Sequence, residues 1–252
     1  MGGEGRGRAR SVSPRSHCEP HPLPPSPPCG EAQRRLEILL PGLTPYVEAL
    51  EWQRALAADR IAGRLDHDVL LLLEHPPIIT LGRGARAQHL LDSDGLDVLE
   101  VERGGDITYH GPGQLVGYPI LDLREHRTDL HWYLRSLEVV LISALAVLGI
   151  DAERRDGYTG VWVGAGRRKI ASIGVHVKQW VTWHGFALNV ATDLSAFDRI
   201  VPCGIAGVEM TSVARETSPP DPGGTQTDTE ALWAATMEAV TGSFASFFGY
   251  IV

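Results

Sequence analysis

A cysteine, a lysine and a glycine-rich loop are the features of this 252-residue chain that could combine in covalent chemistry. Cys203 lies between Pro202, which fixes the approaching backbone, and Gly204, which leaves room beside the sulfur. Its chemistry would be nucleophilic, because thiolate rather than thiol is the reactive form. At a free pKa of about 8.5 little of a thiol is ionised at neutral pH, so a neighbour must stabilise the anion. His176 and His184 are candidates, and so is Lys169, one of few lysines in a chain that strongly prefers arginine. An ammonium at contact distance favours thiolate, and the same lysine, partly desolvated, can accept a proton later. Spacing alone does not choose between them.

The second chemical signal is Arg103–Tyr118, RGGDITYHGPGQLVGY. A loop that only turned would not need so many glycines together with Arg103, His110 and Gln114. Glycine lets backbone approach a ligand closely, and its N–H groups can bond that ligand directly. The chain has no G-x-x-x-x-G-K-[ST] phosphate loop, no H-E-x-x-H helix and no G-x-S-x-G elbow. ATP, NAD and metal routes are therefore unsupported, and neither a cofactor nor a metal is expected.

Composition narrows the class. Hydrophobic residues make up 43%, enough for a sizeable core, and the formal net charge of −8 argues against a nucleic-acid binder. No run is read as reaching the roughly 18 apolar residues of a membrane span, so a soluble protein without membrane association is expected. Cys18 and Cys29 fall in a Pro/Ser/Gly/Arg-rich stretch, leaving no disulfide framework, and a reducing, cytoplasmic setting fits. That stretch, residues 1–35, is too poor in apolar residues to offset ordering entropy and is expected to be disordered. Residues 36–252 read as one domain.

Several elements must position the loop and the thiol. Thr44-Pro45 predicts a helix cap and first turn, with the helix running to about Arg64. Val69–Glu74, Ile78–Leu81, Asp97–Glu102 and Leu115–Leu121 read as strands. Leu130, Leu134, Leu137, Leu141, Ala144 and Leu148 form the apolar stripe of a helix that ends at Gly149. Gly160–Gly164, Lys169–Val177 and Trp180–Val190 read as an antiparallel meander, with Lys169 opening its central strand. Thr227 and Glu230 form the capping box of a last helix, whose buried face is Trp233, Met237, Val240, Phe244 and Phe247. The order is mixed α+β rather than strict βαβ alternation.

Arg103–Tyr118 resembles the signature of the lipoyl(octanoyl) transferases, R-G-G-x-x-T-[aromatic]-H-x-x-G-Q-x-x-x-Y, at every fixed position. Lys169-Ile170-Ala171-Ser172-Ile173-Gly174, His184-Gly185-Phe186-Ala187-Leu188-Asn189-Val190 and Pro202-Cys203-Gly204 resemble the same family, in the same order. The resemblance implies the lipoate/biotin protein ligase catalytic fold, a mixed and largely antiparallel sheet flanked by helices. It implies transfer of an octanoyl group from octanoyl-acyl carrier protein, through a thioester on Cys203, to a lysine of a lipoyl domain. The acceptors implied are the lipoyl domains of 2-oxoacid dehydrogenase complexes and the glycine cleavage H protein. Lys169 would lower the thiol pKa. Arg103, Gly104, Gly105, Asp106, Ile107, Thr108, Tyr109 and His110 would hold the acyl substrate, together with Ser172, Ile173, Gly174, Gly185, Phe186 and Ala187. Tyr109 and Phe186 are expected as pocket walls, and Arg83, Arg86, Arg103, Arg167 and Arg168 as a basic entrance for the acidic carrier. An ATP-dependent lipoate or biotin ligase and a non-catalytic acyl- or carrier-binding module remain alternatives. His110, His176 and His184 are left without a role, and so is the choice of oxyanion donors around Ser172–Gly174 or Gly204.

Overall fold

Residues 69–73 are apolar without a break, which a strand can satisfy only when it is covered on both faces. The computed structural model, which describes residues 34–93, 95–205, 207–217 and 229–251, places them so. In chain order its elements begin with β1 (Arg34–Leu43), α1 (Tyr46–Ile61), β2 (Asp68–Glu74), β3 (Ile78–Leu81), β4 (Asp97–Glu100), β5 (Ile107–His110) and β6 (Gln114–Ile120). Then come α2 (Leu130–Val147), β7 (Ala152–Glu153), β8 (Val161–Val163), β9 (Arg168–Lys178) and β10 (Val181–Asn189). The chain closes with β11 (Glu209–Met210), α3 (Val213–Thr217), α4 (Thr229–Phe248) and β12 (Tyr250–Ile251). Arg34 and Arg35, expected in the tail, already pair with β12; the rest of that tail lies outside the described residues.

The main sheet runs β12-β1-β2-β6-β10-β9-β8-β7, with β11 attached to β9. β1 is parallel to both its neighbours, and from β2 to β7 every pairing is antiparallel. A smaller sheet, β4-β3-β5, stands beside it. Alternation along β2 divides the core: Leu70 and Leu72 join the cluster under α2 and α4, while Val69, Leu71 and Leu73 face α1. A third cluster, with Ile79, Ile107, Tyr109, Phe197 and Ile200, lies under the small sheet.

Three helix expectations shift. Pro45, with ψ 138°, is itself the cap of α1, and Thr44 instead gives its hydroxyl to the Gly42 carbonyl. The helix stops at Ile61, short of Arg64. On α2 the buried stripe is Tyr133, Leu137, Val140, Leu141, Ala144 and Leu145, and Leu130 on its first turn is exposed. By length and composition this helix could cross a membrane, contrary to the expectation that no run was long enough. Its apolar stripe is instead committed to α4 and the sheet, as in a core helix. On α4, Val240 and Phe244 are buried as expected, while Trp233, Met237 and Phe247 are half-buried and Phe248 fills the core. The proposed cap at Thr227 lies outside the described residues.

The start of β2 is tied to distant chain by Asp68. Its carboxylate accepts bonds from Tyr250 Oη (2.7 Å), Arg60 Nε (3.1 Å) and the Asp122 backbone N–H (3.0 Å), with His126 Nε2 at 3.1 Å. Burial alone would raise this carboxyl, but the bonds from His126 and Tyr250 outweigh it and hold it below the usual carboxylate range. Asp68→Asn should cost about 3 kcal/mol in urea unfolding at pH 7, the scale for breaking a buried ion pair. A carboxyl with a depressed folded-state pKa stabilises above its unfolded pKa and loses that contribution as pH falls through the folded value. The gap between wild type and variant should therefore close on acidification. A gap constant into strong acid would count against the ion pair as its source.

Candidate active site

Lys169 is the second residue of β9, paired with Met210 of β11, and its side chain lies in the interior. It is fully buried, with Nζ donating to Cys203 Sγ at 2.9 Å and standing 5.4 Å over the Trp162 ring. Gly160, at φ +131°, packs its α-carbon against the lysine; a methyl there would come within 2.8 Å of Lys169 Cε. The Gly160 N–H is held by Glu138 Oε1 at 3.1 Å, and that buried carboxylate is in turn held by Arg135 and Arg154.

Cys203 sits in a one-turn 3-10 segment, Pro202–Gly204, with φ +55° and ψ 22°. Such a left-handed conformation is uncommon for a residue with a side chain, and here it aims the sulfur back at β9. Ser172 Oγ lies 3.7 Å from the sulfur. Burial pushes the thiol up, but the Lys169 ammonium, the Ser172 hydroxyl and the Arg103 charge more than offset it, and the thiol stands below its ordinary value. Lysine, and neither histidine candidate, is the neighbour of the sulfur.

The glycine stretch is not a loop throughout, because β5 and most of β6 lie within it. Arg103 is not an exposed cation at an entrance. Its guanidinium is buried, donating to the carbonyls of Asp106 (2.8 Å), Gly104 (3.1 Å) and Thr80 (2.8 Å) and to Thr80 Oγ1 (2.9 Å). It fastens the turn to β3. The Gly104 N–H is bonded to the Val175 carbonyl at 2.8 Å, which lays the same turn on β9. Gly174 has to be small there, since a methyl would reach 2.8 Å from the Gly104 carbonyl oxygen. Asp106 reaches the nucleophile's own turn: its Oδ2 is 2.7 Å from His89 Nδ1, and both groups abut Gly204.

Between these parts lies a cavity of about 220 Å³ with Cys203 in its wall. Arg103, Gly105, Asp106, Thr108 and His110 line one side, and Ser172, Ile173, Gly174, Gly185, Phe186 and Ala187 the other. Gly104, Ile107 and Tyr109 do not line it. Ile107 and Tyr109 alternate with Thr108 and His110 along β5 and point into the third core cluster, where Tyr109 meets Phe197 edge-on at 5.6 Å. Phe186 is therefore an aromatic wall and Tyr109 is not.

Tyr46, Tyr118, Thr159, His184 and Ile205 also line the cavity. Tyr118 and His184 belong to the signature stretches, so their positions in sequence were a signal. Tyr46 opens a helix far upstream and carried none. Gln114 and Asn189 prove internal: Gln114 bonds His110 Nδ1 (2.8 Å) and Asn189 Oδ1 (3.0 Å), and Asn189 reaches the Thr211 carbonyl (3.0 Å). His176 lies outside the cavity, 4.1 Å from the Trp183 ring centre. Of the cations expected at the entrance, Arg83, Arg86 and Arg167 are exposed, whereas Arg168 is paired with Glu216 at 2.9 Å.

The family model for the lipoyl protein ligase A/B catalytic domain matches residues 45–235. An octanoyltransferase of Gloeobacter violaceus is 62% identical over 172 residues, 68% of this chain and 77% of that protein. An octanoyltransferase of Geobacter sulfurreducens is 56% identical over 171 residues, 68% of this chain and 71% of its own. A lipoate-protein ligase A solved with ATP superposes with a TM-score of 0.61 at 17% identity, covering 86% of this chain and 85% of that one, a likeness of fold. The chain therefore belongs to the lipoyl(octanoyl) transferases, acyltransferases of the lipoyl protein ligase A/B catalytic family.

Proposed function

We propose that this protein transfers octanoyl from octanoyl-acyl carrier protein to a lysine of a lipoyl domain through a thioester on Cys203. The observation that carries the reading is the 2.9 Å contact between a buried ammonium and a thiol in the cavity wall. In the first step the Cys203 thiolate attacks the carrier thioester carbonyl, the carbonyl–sulfur bond to the carrier breaks, and Lys169 gives its proton to the departing carrier thiolate. Acylation turns the Cys203 thiolate into an uncharged thioester and leaves Lys169, its proton given up, as the amine. That amine then accepts the proton released when the incoming lysine forms its amide, and Cys203 leaves as thiolate. Both protonation states are restored. Thioester to thioester is nearly balanced and thioester to amide is downhill, so the cycle uses no nucleotide. The acceptors in this reading are the lipoyl domains of 2-oxoacid dehydrogenase complexes and the glycine cleavage H protein.

The reading is tested by incubating the protein with octanoyl-acyl carrier protein in the absence of ATP and measuring intact mass. A hydroxylamine-labile octanoyl adduct, absent from Cys203→Ser, is the expected result. Product formed only when ATP and free octanoate are supplied would replace the reading with a ligase. Full transfer by Cys203→Ser would remove the thioester from it.

A further inference from the structure

Lys169 meets Cys203 only while its flexible stem is held in one arrangement, and a buried lysine gives up much rotamer freedom to be held. Its main chain is fixed first. The Lys169 carbonyl accepts the Thr211 N–H at 2.9 Å, and Trp162 of β8 stands opposite it in the sheet. Register shifts by one between the pairs Val161–Ala171 and Trp162–Lys169, so Ile170 is the extra residue of a bulge beside the lysine. The side chain then needs walls. Trp162 supplies one, and Gly160 the other, its absent β-carbon lying 2.8 Å from Lys169 Cε and 3.3 Å from Nζ.

Gly160 is a wall in one backbone conformation. Its φ of +131° suits glycine, but a glycine free to adopt it is equally free to leave it. What holds it is the bond from its N–H to Glu138 Oε1 at 3.1 Å. Glu138 lies on α2 with no exposed surface. Arg135 Nη1 donates to both its oxygens, at 2.9 and 2.7 Å, and Arg154 Nε stands 3.0 Å from Oε2. Arg154 also donates to the Arg135 carbonyl at 2.9 Å, so α2, the chain after β7 and the turn before β8 converge on this carboxylate.

Stability is a poor reason for such a group. Burying a carboxylate costs more than one hydrogen bond returns, and an apolar side chain here would avoid that cost. What the carboxylate adds is direction, applied to the residue that forms the lysine's wall.

We propose that Glu138 is a positioning residue, a clamp that holds Gly160 against Lys169 and so keeps the ammonium on the Cys203 sulfur. It does not line the cavity. The inference rests on Lys169 as the activator of the thiol in the acyltransferase reading. Without the carboxylate the Gly160 N–H loses its acceptor, the wall relaxes and Lys169 samples positions away from the sulfur.

The test is Glu138→Leu, in which the partly exposed Arg135 and Arg154 can turn to water. Two readouts are taken on protein confirmed folded by circular dichroism. Iodoacetamide alkylation across pH should place the Cys203 midpoint about one unit above wild type, a tenfold loss of thiolate below it. Acylation by octanoyl pantetheine thioester at pH 7 should be about a hundredfold slower, the scale of a misplacement near 1 Å. In the Lys169→Met background the same substitution should change acylation by less than about threefold, because the group it positions is already gone. A residue that only stabilised the fold would lower Tm and leave the alkylation midpoint in place; that result, or an equal loss in both backgrounds, overturns the proposal. Should Glu138→Leu not fold, Gly160→Ala makes the test from the other side, its methyl pressing on Lys169 Cε. The same upward midpoint is expected there, and an unchanged one overturns the clamp. Alkylation uses no acyl donor, so an absent octanoyl adduct would overturn the transfer reading while the midpoint still decides the clamp.

Discussion

Replacing Lys169 by methionine should slow acylation of Cys203 at pH 7 by about four orders of magnitude, the upper range for removing a proton-transfer group that also sets a thiol pKa. Two losses combine. The ammonium at 2.9 Å is the main influence that lowers the thiol, and burial, which opposes it, stays in place when the charge is gone. The thiolate fraction therefore collapses at neutral pH. Proton delivery to the departing carrier sulfur is lost as well. The sign of the pH dependence follows: with the thiol depressed, wild-type acylation falls only as pH drops through that lowered value, whereas in Lys169→Met it should fall at a distinctly higher pH. Methionine keeps the length of the side chain against Trp162 and Gly160, and an apolar residue in place of a buried ion is usually tolerated. The fold should persist. Adduct formation followed by intact mass from pH 5 to 10 measures both effects. An unchanged profile, with rates within about threefold, would show that Lys169 is not what activates the thiol.

The resemblance had already put Lys169 and Cys203 together, but their spacing of 203 − 169 = 34 positions could not, because it crosses β10 and two short helical turns. Their contact depends on the left-handed turn at Cys203, which neither Pro202 nor Gly204 specifies alone. The meander was legible because its Val, Ile and Trp run in long strands broken by a turn at Ala165–Gly166. Within Arg103–Tyr118 the glycines hid β5. Once Ile107–His110 is recognised as a strand, period-two alternation sends Thr108 and His110 to the cavity and Ile107 and Tyr109 to the core. The burial of Arg103 was hidden for a different reason. Arginine is usually a surface residue, and only the carbonyls turned inward by Gly104, Asp106 and Thr80 make a buried guanidinium acceptable. Tyr46 marks the limit of local reading, since its place in the cavity is set by how α1 lies across β6 and β10.

The turn that aims the sulfur offers the second large effect, through Gly204→Ala. Gly204 has φ +68° directly after Cys203 at φ +55°, so an alanine there occupies a region costing about 1–2 kcal/mol for residues with a β-carbon. The added methyl would also stand 2.5 Å from Asp106 Oδ2 and 3.1 Å from His89 Cε1. Asp106 cannot easily withdraw, because Oδ2 is 2.7 Å from His89 Nδ1 and Oδ1 accepts the Ile107 N–H at 2.8 Å. The turn must move instead, and it carries the sulfur away from Lys169 and Ser172. A displacement near 1 Å costs about a hundredfold in a positioned reaction, and weakening the lysine contact adds to it, so acylation should fall about a thousandfold. Stability should fall by only a few degrees in Tm, because the turn contributes little to the core. Thiol alkylation by iodoacetamide across pH separates this account from simple unfolding: a folded Gly204→Ala should titrate at higher pH than wild type. Relief is expected from Asp106→Ala in the Gly204→Ala background, since deleting the carboxylate opens the space that the methyl needs. Wild-type acylation rates in Gly204→Ala would show that the Asp106–His89 pair does not restrain the nucleophile's turn.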